Sequence, residues 1–377
     1  MKSTYVLGAL GLLLVVGALL IGDKVGTVAG VATGEPIKVG VSTILTGDFA
    51  ALGENIVNTA ELAVDEVNAN GGINGRPLEL YVQDAGLDSK TGLSAAQKLV
   101  NVDGVHYIIG GTSSNGTLAA APLVNEKKVI YMTPVTGGKN VDEAGEYVFR
   151  VANGDMLAGR DLANAAMELG FKKVALVTEV TEYTIDIQKS FAATYKGELA
   201  VNEEFQPGTT DFRALVAKTK AATPDVIVVL SQTGIAGAHF IKQSQDAGLG
   251  VPVFTDFTFV ANTAARDIVG SFEGVYFTDP AFAADGAATK EMFARYEERF
   301  GSQPFIGFHA ASTYDSVMML ADALREVGDD SEAVHDWLLG VEDRKGLMGT
   351  FSLDANGNSD LGFIFKQVRD GKFVTVE

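Results

Sequence analysis

The chain has 377 residues, 47% hydrophobic and 8% aromatic, enough apolar material and too much length for a single ordinary core, so two lobes are expected. Its formal charge of −19, from 29 Lys+Arg against 48 Asp+Glu, argues against nucleic acid or an anionic membrane surface as its main partner. The absence of cysteine removes disulfides, thiolate metal sites and cysteine nucleophiles together.

The first element is an uncharged apolar run, "YVLGALGLLLVVGALLIG" (Tyr5 to Gly22), between Lys2 and Asp23–Lys24. It is slightly short for a membrane-spanning helix and long for the apolar region of an export signal. Small residues follow, with Ala29 or Ala32 placed to precede a cleavage point. A cleaved signal and an uncleaved anchor both put the remaining chain outside the cytoplasm. Only the anchor tethers it to the membrane.

From Ile37 onward, strand-like runs alternate with helical patterns, the signature of βαβ units and parallel sheets. "IKVGVS" precedes a helix in which Ile56, Ala60, Ala63, Val64 and Val67 recur at helical spacing and Gly71–Gly72 give a stop. "LELYVQD", "HYIIGG" and "VIYMTP", separated by helical "SAAQKLVN" and "LAAAPLVNEKK", complete four strands. After "YVFRVANGD" the pattern restarts: helical "DLANAAMELG", then "KVALVTE", "LAVNEEF", "DVIVVLS" and "VPVFTDF" with helices between. Two such series imply two Rossmann-like lobes, an α/β fold with parallel central sheets. From about Thr289 the chain is strongly helical, and it closes in strands joined by Asn-Gly and Asp-Gly turns.

Enzyme chemistry finds little support. His106, His239, His309 and His335, read as lying in a strand and three helices, have no metal-ligand or triad spacing. "GGTSSNGT" lacks the Lys-Ser/Thr ending of a phosphate loop, and no Gly-x-Gly-x-x-Gly follows the first strand of either lobe, so no nucleotide cofactor is expected. "DANGNSD" (Asp354 to Asp360) spaces oxygens like a calcium loop, but Phe365 stands where the closing Glu belongs, and a hairpin turn on Asn356–Gly357 is the better reading.

What remains is a concentration of small polar residues at strand ends, where open parallel sheets bind ligands. The first lobe offers "STILTG" with Thr46, "GGTSSNG" with Ser113 and Ser114, and "TPVTGG" with Thr136. The second offers "TEVTEYT" with Tyr183, "SQTG" with Gln232 and Thr233, and "TDFTF" with Asp256. Hydroxyls and helix N–H groups on one side and acids on the other suit a zwitterion: a carboxylate on Ser114 and Thr136, an ammonium facing an acid across the cleft.

Three stretches then carry a family resemblance: "IKVGVSTILTGDFAALGENIVNTAELAVDEVNANGGINGRPLEL", "GVHYIIGGTSSNGTLAAAPLVNEKKVIYMTP" and "GTFSLDANGNSDLGFIFKQVRDGKFV". The chain resembles the type I periplasmic binding proteins, in particular the leucine/isoleucine/valine branch that feeds ABC importers, from about Ile37 to its end. The resemblance implies two lobes joined by three crossovers that close on a ligand by hinge motion, and no catalysis. It implies a ligand carboxylate on Ser114, with Ser113 one position away, further donors at Val135 and Thr136, and Tyr183 packed on the ligand. A second tyrosine common in the amino-acid binders falls near Gln232 and Thr233 instead, and Asp256 is chosen for the ammonium because it follows a strand end in the second lobe.

The expected layout is a signal or anchor over residues 1–35, a first lobe over 36–153 and 282–350, and a second over 154–281 and 351–377. The expected function is an extracytoplasmic solute-binding protein that passes a small amino acid, branched-chain or similar, to ABC permease subunits. The alternatives are a sensory ligand-binding module and a binder of an amide or small carboxylate.

Overall fold

The computed structural model describes residues 32–47, 49–359 and 361–376. The Tyr5–Gly22 run and Ala29 lie outside the described residues.

The first series runs β1 (Ile37–Thr43), α1 (Ala50–Ala69), β2 (Leu78–Asp84), α2 (Ser89–Lys98), β3 (Tyr107–Gly110), α3 (Ser114–Lys127), β4 (Ile130–Thr133) and β5 (Val148–Arg150). Its strands pair in parallel in the order β2-β1-β3-β4-β5. β3 and β4 are buried along their whole length, as helices on both faces of a parallel sheet require. The apolar stripe expected on α1 is its buried face, and Gly71 and Gly72 end it with positive φ values of 93° and 70°. At Gly72 a Cβ would meet the Arg76 carbonyl oxygen at 2.2 Å, so only glycine fits. Sequence reading stopped at four strands; β5 is a fifth, hidden because only three residues of the "YVFRV" stretch pair.

The second series runs α4 (Asp155–Glu168), β6 (Lys173–Glu179), α5 (Glu182–Thr194), β7 (Glu198–Phe205), α6 (Arg213–Ala222), β8 (Val226–Leu230), α7 (Ile235–Asp246), β9 (Val253–Asp256), α8 (Phe257–Ala261), α9 (Thr263–Val269) and β10 (Tyr276–Pro280). The remainder is α10 (Ala287–Phe300), α11 (Gly307–Val327), α12 (Ser331–Leu339), β11 (Arg344–Gly346), β12 (Gly349–Phe351), β13 (Phe363–Arg369) and β14 (Lys372–Thr375). The second sheet has the order β14-β13-β10-β9-β8-β6-β7, parallel from β7 to β10 and antiparallel at β13 and β14. His106 stands one residue before β3 rather than within it.

The chain crosses between the two sheets' cores three times. It leaves the first after β5, and it returns after β10 because α10, α11 and α12 pack on the first sheet: Met292, Val317, Leu324 and Leu338 share a core with Val39, Ile56 and Ile109. The third crossing, between β12 and β13, contains the expected Asn356–Gly357 turn, closed by an antiparallel bridge between Leu353 and Ser359. The two strands belong to different sheets, and the turn is organised by Asp354, whose Oδ1 accepts from the Asn356 and Asn358 N–H groups, both at 2.9 Å. The Asp-Gly reading holds: Asp370 and Gly371 both have positive φ, 51° and 68°, and join β13 to β14.

One carbonyl ties the crossings together. The Gly362 oxygen accepts from the Asn153 side-chain amide in the first crossing and from the Ala281 N–H in the second, the latter at 3.0 Å.

Candidate functional site

The first wall is built on the ends of β3 and β4. Ser113 caps α3, accepting from the Gly116 N–H at 3.2 Å while its own hydroxyl donates to the Leu87 carbonyl at 2.7 Å. Ser114, the first helical residue, is left with a hydroxyl that makes no hydrogen bond among the described residues, beside the unpaired N–H groups of the helix start. Thr136 is engaged locally: its N–H donates to Thr133 Oγ1 at 3.0 Å and its hydroxyl to the Gly111 carbonyl. Val135 beside it is half-buried.

The second wall carries acid. Asp256 ends β9, is 1% exposed and caps α8 through Oδ1, which accepts from the Thr258 N–H at 2.9 Å, the Thr258 hydroxyl and, at 3.3 Å, the Tyr183 hydroxyl. Its Oδ2 has no partner among the described residues. Burial pushes the Asp256 carboxyl up to about 6, against the downward pull of the Thr258 and Tyr183 hydrogen bonds. Burial first, and then the charges of Asp256 and Asp155, push the Tyr183 phenol well above its ordinary value.

Asp155 connects the two walls, and sequence reasoning missed it. It opens α4 directly after the first crossing, is 7% exposed, and has its N–H on the Gly137 carbonyl at 2.7 Å. A Cβ on Gly137 would lie 2.3 Å from Asp155 Oδ1. One on Gly138 would lie 2.8 Å from Ser114 Oγ and 4.0 Å from Asp155 Oδ2. The glycines of "TPVTGG" therefore bring the Ser114 hydroxyl and the Asp155 carboxylate onto one surface. Burial raises the Asp155 carboxyl well above the usual range; Arg150 opposes that shift, and Asp186, Asp142 and Asp256 add to it. In sequence, an acid in a first helical turn reads as an ordinary partner of the helix dipole, which is why "ANGD" gave no signal.

Three expected residues point elsewhere. The Thr46 hydroxyl donates to Asp84 at 2.7 Å, and Asp84 also accepts from the Leu45 N–H, so these bonds hold its carboxyl below the usual value. Thr233 serves Glu179, giving its N–H at 3.0 Å and its hydroxyl at 2.7 Å to a carboxylate that is fully buried and also takes the Ser231 hydroxyl. Gln232 is exposed and makes no hydrogen bond among the described residues.

The walls also touch directly elsewhere among the described residues. The Lys139 N–H donates to Asp186 at 3.0 Å, Asn140 donates to Glu182 at 2.8 Å, and the Phe257 ring packs edge-on against Phe308 at 4.8 Å. The molecule is thus held with its halves together.

The sequence profile described as "Periplasmic binding protein" matches residues 36–372. The chain belongs to the periplasmic binding protein family. Members of this family bind solutes extracytoplasmically and are not enzymes. Among the described residues no helix is long and apolar enough to cross a membrane. Leu/Ile/Val-binding protein homolog 3 of Brucella melitensis is 29% identical over 350 residues, covering 90% of this chain and 94% of that one. LivJ of Streptococcus pneumoniae, a branched-chain amino acid transporter substrate binding protein solved with isoleucine, superposes with a TM-score of 0.80 at 28% identity, over 91% of this chain and 99% of its own. A solute binding protein of an ABC transporter from Rhodopseudomonas palustris BisB5, solved with 3,4-dihydroxybenzoic acid, gives 0.74 at 25% identity, over 90% and 96%. These relatives place the chain with the type I, branched-chain amino acid group of the family, as the sequence resemblance implies.

Proposed function

We propose that the protein is the solute-binding component of an ABC importer, that it captures an α-amino acid, branched-chain or similar, between its lobes, and that it hands the amino acid to permease subunits. The observation that carries this reading is the surface shared by the Ser114 hydroxyl, Gly138 and Asp155, with Asp256 and Tyr183 beside it. A ligand carboxylate takes the Ser114 hydroxyl and the N–H groups at the start of α3, with Val135 and Thr136 at its flank. The ligand ammonium takes Asp155 and the unpartnered Oδ2 of Asp256, and Tyr183 covers the ligand. Desolvated acids without a counter-ion are costly, and a cation that enters between them removes that cost. Ligand and lobe closure are coupled in this way, since a ligand shifts an equilibrium only by its differential affinity for the two states.

The relative solved with a dihydroxybenzoic acid supports a second reading, an aromatic carboxylate. It meets the same first wall but brings no cation to Asp155 and Asp256, so we favour the amino acid. The protein acts outside the cytoplasm, either released by signal cleavage or tethered through its N-terminal run. Calorimetric titration with a panel of amino acids, amides and benzoates tests the assignment. Micromolar or tighter binding of an amino acid supports it, and binding of benzoates alone overturns it.

A further inference from the structure

The donors of the first wall stand at the start of α3, and that start is clamped to α2. Asp88 caps α2, accepting from the Lys90 and Thr91 N–H groups at 2.9 and 3.0 Å. Two hydrogen bonds tie this end to the first turn of α3: the Ser113 hydroxyl donates to the Leu87 carbonyl at 2.7 Å, and the Ser89 hydroxyl to the Asn115 carbonyl at 3.3 Å. Beside these ties the helices meet backbone to backbone, at the buried Gly92 and Gly116. A Cβ on Gly92 would lie 2.5 Å from Gly116 Cα, 3.0 Å from its carbonyl oxygen and 3.1 Å from its carbonyl carbon. All three are backbone atoms, so a helix end has to shift to admit it. The contact is one-sided. A Cβ on Gly116 would lie 3.6 Å from Gly92 Cα and 3.7 Å from Ser113 Oγ, ordinary van der Waals distances. Glycine weakens a helix interior relative to alanine, and only Gly92 has a steric reason here to accept that cost.

We propose that Gly92 is a positioning residue of the ligand site: its bare backbone lets α2 seat the first turn of α3 so that the Ser114 hydroxyl stands beside Gly138, where the ligand carboxylate is received. This rests on the carboxylate site given above at Ser114, which the amino-acid and benzoate readings share. Ser114 lies two residues before Gly116 in the same helical turn, so a displacement of the Gly116 backbone carries the hydroxyl with it. Restoring an ordinary carbon–carbon distance after adding a methyl at Gly92 takes about 1 Å of movement. A shift of about 1 Å carries a donor out of the narrow range in which a hydrogen bond forms. Past the glycines, Ala96 of α2 shares a core with Ala120, Ala121 and Val124 of α3, so the pair is packed together beyond its first turns and the strain falls on the loop-borne ends.

The test makes the same substitution on either side of the contact and titrates leucine calorimetrically into the full chain. Gly92→Ala is expected to weaken binding by about tenfold or more. Gly116→Ala, whose N–H stays on Ser113 and whose methyl has room, is expected to bind within about twofold of the wild type. A double-mutant cycle separates positioning from general damage. The loss from Gly92→Ala should shrink in the Ser114→Ala background and persist in full with Asp256→Asn, on the opposite wall. Wild-type affinity in Gly92→Ala, or the same loss in both backgrounds, overturns the proposal. Should Gly92→Ala not fold, Ser113→Gly tests the clamp instead, because glycine caps a helix nearly as well as serine and the change removes the tie to Leu87. A loss that shrinks in the Ser114→Ala background supports the proposal there, and wild-type affinity overturns it. Failure of the carboxylate site itself is recognised separately, by Ser114→Ala binding leucine as the wild type does, and it leaves Gly92 with no site to position.

Discussion

The two walls of the cleft are made of opposite materials. The first is a set of donors whose needs are met locally: Ser113 caps its helix, Thr136 bonds the Gly111 carbonyl, and the Ser114 hydroxyl is left for a guest. The second is a pair of buried acids without an ion-pair partner among the described residues: Asp155, and Asp256, which spends Oδ1 on Thr258 and Tyr183 and leaves Oδ2 without a partner. A wall of hydroxyls and helix N–H groups is stable empty; a wall of desolvated carboxylates is not. On the proposed amino-acid reading, the contrast is between a wall preorganised for a carboxylate and a wall whose burial cost an incoming cation would relieve.

The sharpest way to break this comparison is to neutralise the acidic wall. Asp256→Asn or Asp155→Asn is expected to lower amino-acid affinity by about 30-fold or more, because removing one partner of a desolvated charge pair costs about 2–5 kcal/mol. Both variants should leave the ligand-free fold as stable as the parent or more so, since an uncompensated buried charge is gone. Calorimetry and thermal unfolding of the same samples check both signs. A fall in stability with unchanged affinity would make the acids structural.

Acidity sharpens the same point. The Asp256 carboxyl stands at about 6, above its ordinary value, so in the free protein it is protonated below that pH and must lose its proton to receive an ammonium. Affinity should fall by roughly tenfold between pH 7 and pH 5 on this group alone, and further if Asp155 titrates with it. The ligand-free fold responds with the opposite sign. Because the folded state holds this proton more tightly than the unfolded state, stability declines as pH rises from about 4 to 6 and is flat in this contribution above that. A pH-independent affinity over that range would remove Asp256 from the ammonium site.

On the hydroxyl wall the expected effects are smaller. Ser114→Ala should weaken binding by about tenfold, the loss of one charge-assisted hydrogen bond worth about 1.5 kcal/mol, without moving the unfolding transition. Thr233→Val is the weakest for binding, within about twofold. It should instead destabilise the fold by roughly 1–3 kcal/mol, because Oε1 of the buried Glu179 loses the Thr233 hydroxyl while Oε2 keeps that of Ser231.

Much of the fold was readable because parallel sheets write themselves as apolar runs between amphipathic helices, and α1 is the clearest case. Short elements were not: β5 has three residues, and β10, Tyr276–Pro280, carries a Thr-Asp-Pro ending that reads as a turn. The Asn356–Gly357 turn was recognisable as a turn, but its neighbours' sheet membership depends on long-range pairing that no local pattern encodes. In the candidate site, Ser114, Tyr183 and Asp256 were proposable from strand ends and resemblance, and the structure brings them near one another. Asp155 was not, since what distinguishes it is burial against Gly137, a contact between segments 18 residues apart. Thr46 and Thr233 show the converse. A hydroxyl at a strand end is available in sequence, and only the structure shows that Asp84 and Glu179 already hold it.

The most direct test of the central claim is a calorimetric comparison of leucine with 4-methylpentanoate, which is leucine without its amino group, at neutral pH on the wild-type protein. Opposed walls predict that leucine binds at least 100-fold more tightly. Equal affinity for the two, or tighter binding of the deaminated acid, would contradict the role given to Asp155 and Asp256.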